Sequence, residues 1–248
     1  MKRLIIRLSA LFVVVIAAIS AVGAFAFDNR EPEYTDTLYI DFFIEDDKVP
    51  LAFFAQLPFE DVQAYDWFYR SVTWAYKNEI MNGVSSTKFA PKSDMTRAML
   101  VTILWRYAGT PEAGRSMFSD VTTGKWYSTA VAWAAENGIV QGFDAATFGA
   151  HSFVNREQMY TILYRYMNFA ELTIVLEDEI RIQQFADEYK VSDWALDAMY
   201  FMYDAGVMFM LSTLDIYARP RENAIRGEIA AAMYFFDRYA VPLSIAYE

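Results

Sequence analysis

The feature that most constrains the fold is internal repetition, because a pattern that recurs must be satisfied by one structural unit used several times. Phe59, Phe118 and Phe185 each open a copy with F-x-D, and a tryptophan follows at Trp67, Trp126 and Trp194. Each copy then reaches an arginine, Arg97, Arg156 and Arg226, that opens an apolar helix. The interval from Phe to Arg is 38 residues in the first two copies and 41 in the third. The copies are expected at 59–108, 118–167 and 185–239.

Within each copy two helical stripes are predicted. The first follows the Trp, with Phe68, Val72, Ala75, Tyr76 and Ile80 in copy one and Tyr127, Val131, Ala134 and Ala135 in copy two. The second has the same i, i+3, i+4, i+7 spacing in all three: Leu100, Ile103, Leu104, Tyr107; Met159, Ile162, Leu163, Tyr166; Ile229, Ala232, Met233, Phe236. Such stripes bury one face. A lone helical hairpin cannot cover that face, so the copies are expected to pack on one another as a single all-α body. Helices are predicted near 66–80, 95–108, 127–138, 156–168, 193–207 and 226–239.

Composition narrows the chemistry. The 248 residues hold no cysteine and one histidine, His151, so thiol chemistry, zinc clusters and nucleophile–histidine arrangements have almost no raw material. No catalytic residue, metal ligand or cofactor site is expected. With 21 basic against 32 acidic residues the chain repels nucleic acid, and any anion it binds must be bound locally.

The N-terminus has its own logic. Lys2, Arg3 and Arg7 precede an uncharged run from Leu8 to Ala21, and Ala24-Phe25-Ala26 fits a small-x-small cleavage site, so residues 1–26 are expected to be a secretory signal peptide. An uncleaved anchor is the alternative. Cleavage would remove three basic residues and take the formal charge from −11 to −14. Residues 27–58 read as a linker or short extended clasp, with a β-favouring stretch at Leu38–Ile44.

An arginine at the start of each second helix is unexpected, since a helix N-terminus carries about half a positive charge and disfavours a cation. Thr96 and Asn155 are expected N-caps, Asn155 with Gln158 approaching a capping box. One reading is an anion site made of free helix N–H groups and a guanidinium. The other is an internal salt bridge to Asp61, Asp120 or Asp187. Trp67, Trp126 and Trp194, at the first turn of a helix, fit either a sugar-stacking face or a packing role.

These motifs together resemble the S-layer homology repeat of bacterial cell-surface proteins. Copy one carries Phe59-Glu60-Asp61-Val62, Trp67-Phe68, Asn82-Gly83, Phe89-Ala90-Pro91 and Thr96-Arg97-Ala98-Met99; copy two carries Phe118-Ser119-Asp120-Val121, Trp126-Tyr127, Gly142, Phe148 and Asn155-Arg156-Glu157-Gln158. Copy three is weaker, with Ile225 where threonine is expected. The resemblance implies a non-enzymatic anchoring module, with three repeats in pseudo-threefold symmetry around a central helical bundle, at the bacterial cell wall. It implies binding of pyruvylated secondary cell-wall polysaccharide in grooves between repeats. Arg97, Arg156 and Arg226 would meet the carboxylate, and Trp67, Trp126 and Trp194 would line the grooves. Asp61, Asp120 and Asp187 would fix groove geometry or sugar hydroxyls, and Gly83 and Gly142 would let the loop backbone approach the sugar. Met99 and Gln158 in place of the family's glutamate would remove a capping partner, and copy three is expected to survive as scaffold, with Arg226 contributing least. A membrane-tethered interaction scaffold and a glycan-cleaving enzyme with a carboxylate pair are the alternatives from other classes; no such pair stands out.

Overall fold

The computed structural model describes residues 57–174, 185–205, 207–208 and 217–242, all within the compact unit Asp36–Glu248. The expected signal segment at 1–26 and all but the end of the 27–58 linker, including the Leu38–Ile44 strand, lie outside the described residues. The described chain is helical: α1 (Tyr69–Lys77), α2 (Arg97–Tyr107), α3 (Ser128–Glu136), α4 (Arg156–Phe169), α5 (Leu196–Asp204) and α6 (Arg226–Tyr239). The second helix of each copy begins at its arginine. The first helices are shorter than predicted, because Asn78 and Asn137 close α1 and α3 by turning their side-chain amides onto the Trp74 and Trp133 carbonyls at 2.8 Å.

Local chemistry sets the starts of the second helices. Thr96 Oγ1 accepts from the Met99 N–H, and Asn155 and Gln158 form a complete capping box. Glutamine therefore serves the cap that its replacement of glutamate was expected to remove. Ile225 has no side-chain acceptor, yet the Glu228 carboxylate takes the Ile225 N–H at 3.1 Å, which keeps half the box in copy three.

The dominant helix pairs join different copies. Helix α2 of copy one packs on α3 of copy two, α4 of copy two on α5 of copy three, and α6 of copy three on α1 of copy one. A hydrogen-bonded ring ties the three second-helix starts together. The Met95 N–H donates to the Ala224 carbonyl, Ala224 to Val154 and Val154 to Met95, each at 2.9 Å. Just beyond it, the first two N–H groups of every second helix donate to the loop of the following copy. Arg97 and Ala98 donate to Ser152 and Ala150, Arg156 and Glu157 to Glu222 and Pro220, and Arg226 and Gly227 to Ser93 and Pro91, at 2.7–3.1 Å. Donors that a helix ordinarily leaves open are thus satisfied by neighbours.

Helix α6 is buried over the whole run Arg226–Phe236, as a central helix must be. Its Ile229 and Met233, with Leu100 and Leu104 of α2 and Met159 and Leu163 of α4, are fully buried. A two-stranded antiparallel ribbon, β1 (Leu172–Ile174) with β2 (Ala240–Pro242), ties the end of α4 to the end of α6, with Thr173 opposite Val241. Nothing in the hydrophobic pattern announced it.

Candidate functional site

Each F-x-D aspartate organises the loop ahead of the second helix in its own copy. Asp61 accepts from the Phe89 and Ala90 N–H groups at 2.9 and 2.8 Å, and Asp120 from Phe148 and Gly149, both at 2.8 Å. Asp187, fully buried, accepts from Ala218 and Arg219 at 2.7 and 2.9 Å. Both carboxylate oxygens are used in every case. The second residue of each pair has positive φ, Ala90 at 58°, Gly149 at 76° and Arg219 at 47°. Two charge-assisted hydrogen bonds hold the non-glycine residues in that costly conformation.

The loop so held receives the arginine of the preceding copy. Arg97 donates from Nε to the Phe148 carbonyl at 3.0 Å and from Nη2 to Gln141 at 2.6 Å. Arg226 does the same with Phe89 at 2.8 Å and Asn82 at 2.7 Å. The Arg97 guanidinium lies 4.7 Å from the Phe148 ring centroid and 4.8 Å from that of Phe143, and Arg226 lies 4.6 Å from Phe89. Both residues are buried, at 5% and 7% exposure. Burial pulls both pKa values down; the Arg165 charge adds to this at Arg97, while Asp120 and Asp61 act in the opposite sense on Arg97 and Arg226.

Arg156 departs from this pattern. Its Nε and Nη2 both donate to Glu228 Oε1, and its Nη1 lies 3.7 Å from Glu222 Oε2. Burial lowers its pKa, but the charge and hydrogen bond of Glu228 outweigh burial and the net shift is upward.

Neither sequence reading of the arginine survives as stated. The helix N–H groups are engaged by backbone carbonyls, and no arginine of the three pairs with Asp61, Asp120 or Asp187; two of them bind the loop carbonyls that those aspartates position. The glycines have an internal reason as well. A Cβ on Gly83 would stand 2.5 Å from the Phe59 ring and from the Ser85 carbonyl, and one on Gly142 2.5 Å from the Phe118 ring, the Asp144 carbonyl and the Thr147 carbonyl. Both are needed for the loop to close over the phenylalanine of F-x-D.

Two of the three tryptophans face outward. Trp126 and Trp194 are 57% and 53% exposed, whereas Trp67 is half-buried. Trp67 and Trp126 rest edge-on against the next aromatic, Phe68 and Tyr127, at 5.2 and 5.1 Å. Two of the interfaces between copies thus join a buried guanidinium to an aspartate-held loop of the following copy.

Comparison with known proteins bears on two of the copies. The S-layer homology domain matches residues 58–98 and 118–159. Two of the three copies match the S-layer homology domain. Relatives of these repeats include an endoglucanase of Bacillus sp. (strain KSM-635), 29% identical over 173 residues, which is 70% of this chain and 18% of that protein. An amylopullulanase of Thermoanaerobacterium thermosulfurigenes is 28% identical over 184 residues, 74% of this chain and 10% of that protein. A surface-layer 125 kDa protein of Lysinibacillus sphaericus is 29% identical over 148 residues, 59% of this chain and 12% of that protein. The chain thus spans 10–18% of the length of these relatives. Among the described residues no cluster of His, Asp or Glu is arranged to hold a metal, and no helix is long and apolar enough to cross a membrane.

Sequence reasoning missed the acidic residues of the interface between copies two and three. Glu157, 1% exposed, accepts from the Ser192 N–H at 2.9 Å, from Ser192 Oγ at 3.3 Å and from Arg221 Nη1 at 2.7 Å. Lined up on the arginine, Glu157 stands where copies one and three have Ala98 and Gly227, and Glu228 where copies one and two have Met99 and Gln158. That column-by-column contrast was legible once the copies were aligned.

Proposed function

We propose that this chain is a non-catalytic anchoring module that binds anionic, pyruvylated secondary cell-wall polysaccharide at the bacterial surface. The observation that carries the reading is the match of two copies to the S-layer homology domain, since the relatives sharing the region differ in their named activities while a surface-layer protein is among them. Other features agree. Buried guanidinium groups lie between copies with no carboxylate hydrogen-bonded to Arg97 or Arg226, and the exposed rings of Trp126 and Trp194 offer flat faces to a sugar. In a chain of net charge −11 an acidic ligand has to be met locally, at individual cations such as Arg97 and Arg226.

The test is a pull-down of the full chain on purified cell-wall sacculi, before and after chemical removal of the attached polysaccharide. Binding is expected to be lost with the polysaccharide. It is also expected to weaken in acid, as the ligand carboxylate takes up a proton, and only modestly with salt because few charges are involved. Retention on stripped sacculi, or on membranes alone, would replace this reading with that of an interaction scaffold.

A further inference from the structure

The chain contains two Asn-Gly dipeptides, Asn82-Gly83 and Asn137-Gly138, and in such a pair the asparagine can react with its own backbone. The N–H of the following glycine, which no side chain shields, loses its proton, and the nitrogen attacks the asparagine Cγ and expels ammonia. A five-membered imide results. Water then opens it at either carbonyl, leaving aspartate or, where the α-carbonyl is cleaved, isoaspartate with the main chain rerouted through Cβ and Cγ. One water is consumed and one ammonia released, and nothing is oxidised or reduced.

The fold treats the two dipeptides differently. Asn137 closes α3: its side-chain amide donates to the Trp133 carbonyl at 2.8 Å, and the Gly138 N–H donates to the Ala135 carbonyl at 3.1 Å. Both reacting groups are engaged. Asn82 is exposed, and among the described residues its side chain makes no hydrogen bond and the Gly83 N–H has no acceptor. The peptide between them carries a cation instead. Arg226 Nη2 donates to the Asn82 carbonyl at 2.7 Å, and a charged donor there withdraws electron density from the peptide and makes the Gly83 N–H more acidic. Copy two repeats that activation, with Arg97 Nη2 on the Gln141 carbonyl at 2.6 Å ahead of Gly142, but glutamine is one methylene longer and would have to close a six-membered ring. Only at Asn82 do the short amide, the free glycine N–H and the cation coincide among the described residues.

We propose that Asn82-Gly83 is a site of spontaneous deamidation and isomerisation, activated by Arg226 of copy three, and that Asn137-Gly138 is protected by its helix cap. Opening of the imide at the α-carbonyl turns the oxygen that Arg226 holds into a carboxylate oxygen. It also adds a backbone carbon ahead of Gly83, where a Cβ would already stand 2.5 Å from the Phe59 ring and from the Ser85 carbonyl. The loop of copy one that receives Arg226 therefore changes with age, while its counterpart in copy two does not.

The experiment incubates the full chain at mildly alkaline pH, folded and in parallel unfolded in guanidinium chloride, and follows residues 82 and 137 by peptide mass spectrometry. Each conversion adds one mass unit, and electron-transfer fragmentation separates isoaspartate from aspartate. In the folded chain position 82 is expected to convert about tenfold faster than position 137 or more, the rate equivalent of a protecting hydrogen bond of about 1.4 kcal/mol. In denaturant the two rates should converge, and position 82 should react no faster there than in the folded chain, which is the mark of activation by Arg226 rather than of mere exposure. In Asn82→Gln, which copies Gln141, conversion at position 82 should vanish. Equal rates at the two positions in the folded chain, a rate at 82 that is higher in denaturant, or conversion that persists in Asn82→Gln overturns the proposal.

Discussion

The interface between copies one and two and the interface between copies two and three use the same hydrogen-bonded ring, the same aspartate-held loop and the same helix start, yet they treat the arginine in opposite ways. In the first, Arg97 is held by the Phe148 and Gln141 carbonyls and two phenylalanine rings. In the second, Arg156 is held by Glu228. The difference teaches that the backbone plan fixes where the cation sits, and that one side chain on the following helix decides whether its charge is neutralised from within.

The largest expected effect breaks the second interface. Glu228→Ala would remove the main partner of Arg156, leaving only exposed Glu222 at 3.7 Å, and should destabilise the chain by about 3 kcal/mol, measured by urea unfolding. Gln158→Ala, which removes only a capping contact, should cost about 1 kcal/mol. Equal losses would show that the two interfaces do not differ in the way described.

Next come the arginines themselves. Arg97→Ala and Arg226→Ala should each weaken polysaccharide binding by about 1.5–3 kcal/mol, whereas Arg156→Ala should act mainly on stability. Lysine at position 97 or 226 should recover only part of the loss, since an ammonium cannot span both loop carbonyls as the guanidinium fork does. Isotherms with parallel thermal melts on the purified variants check the ranking.

A smaller effect sharpens what copies one and two share. Gly83→Ala and Gly142→Ala each push a methyl against a phenylalanine ring and loop carbonyls, and should cost about 1–3 kcal/mol by thermal or urea unfolding. Similar losses at both would show that the loop is built for internal closure in each copy.

The smallest concerns Trp74 and Trp133, equivalent residues of copies one and two. The Trp74 indole donates to Asp237 of copy three at 3.0 Å, and Trp133 instead packs edge-on against Phe169. Burial raises the Asp237 pKa, and the Trp74 hydrogen bond only partly opposes that. A carboxyl whose folded pKa is raised binds its proton more readily in the folded state, so its penalty is absent below the ordinary carboxylate value and grows as pH rises through the folded pKa. Asp237→Asn, which keeps an acceptor for the indole, should therefore gain stability at pH 7 relative to its effect at pH 4. Solvent exposure of Asp237 keeps the gain under about 1 kcal/mol. Melting curves of both proteins across that range would detect it, and a gain confined to acid would contradict the sign.

Much of the fold was legible because helical periodicity is local. The spacing of Leu100, Ile103, Leu104 and Tyr107 and its counterparts placed the second helices, and Thr96 and Asn155 marked two of their starts, since a cap acts within one turn. The candidate site was less legible. Motif inspection picked out Arg97, Arg156 and Arg226 together, but identical residues gave no hint that Arg156 differs, because its partner Glu228 lies 72 residues away. The glycines and aspartates were flagged for a ligand, and the structure shows each also serving the loop, through contacts with Phe59 and Phe118 and with N–H groups nearly thirty residues on.

By itself the sequence determined that the chain is all-α and repeated, that its second helices begin at arginines, and that its repeats resemble S-layer homology domains, since these depend on spacing along the chain. Only the tertiary structure decided that each second helix packs on the first helix of the next copy, that helix-start donors are closed by a neighbour's loop, and that the carboxylates of Glu157 and Glu228 fill one interface of three. Those outcomes depend on which copy's loop reaches which helix. Local periodicity is indifferent to that choice, and it is made only when the ring of Met95, Val154 and Ala224 closes.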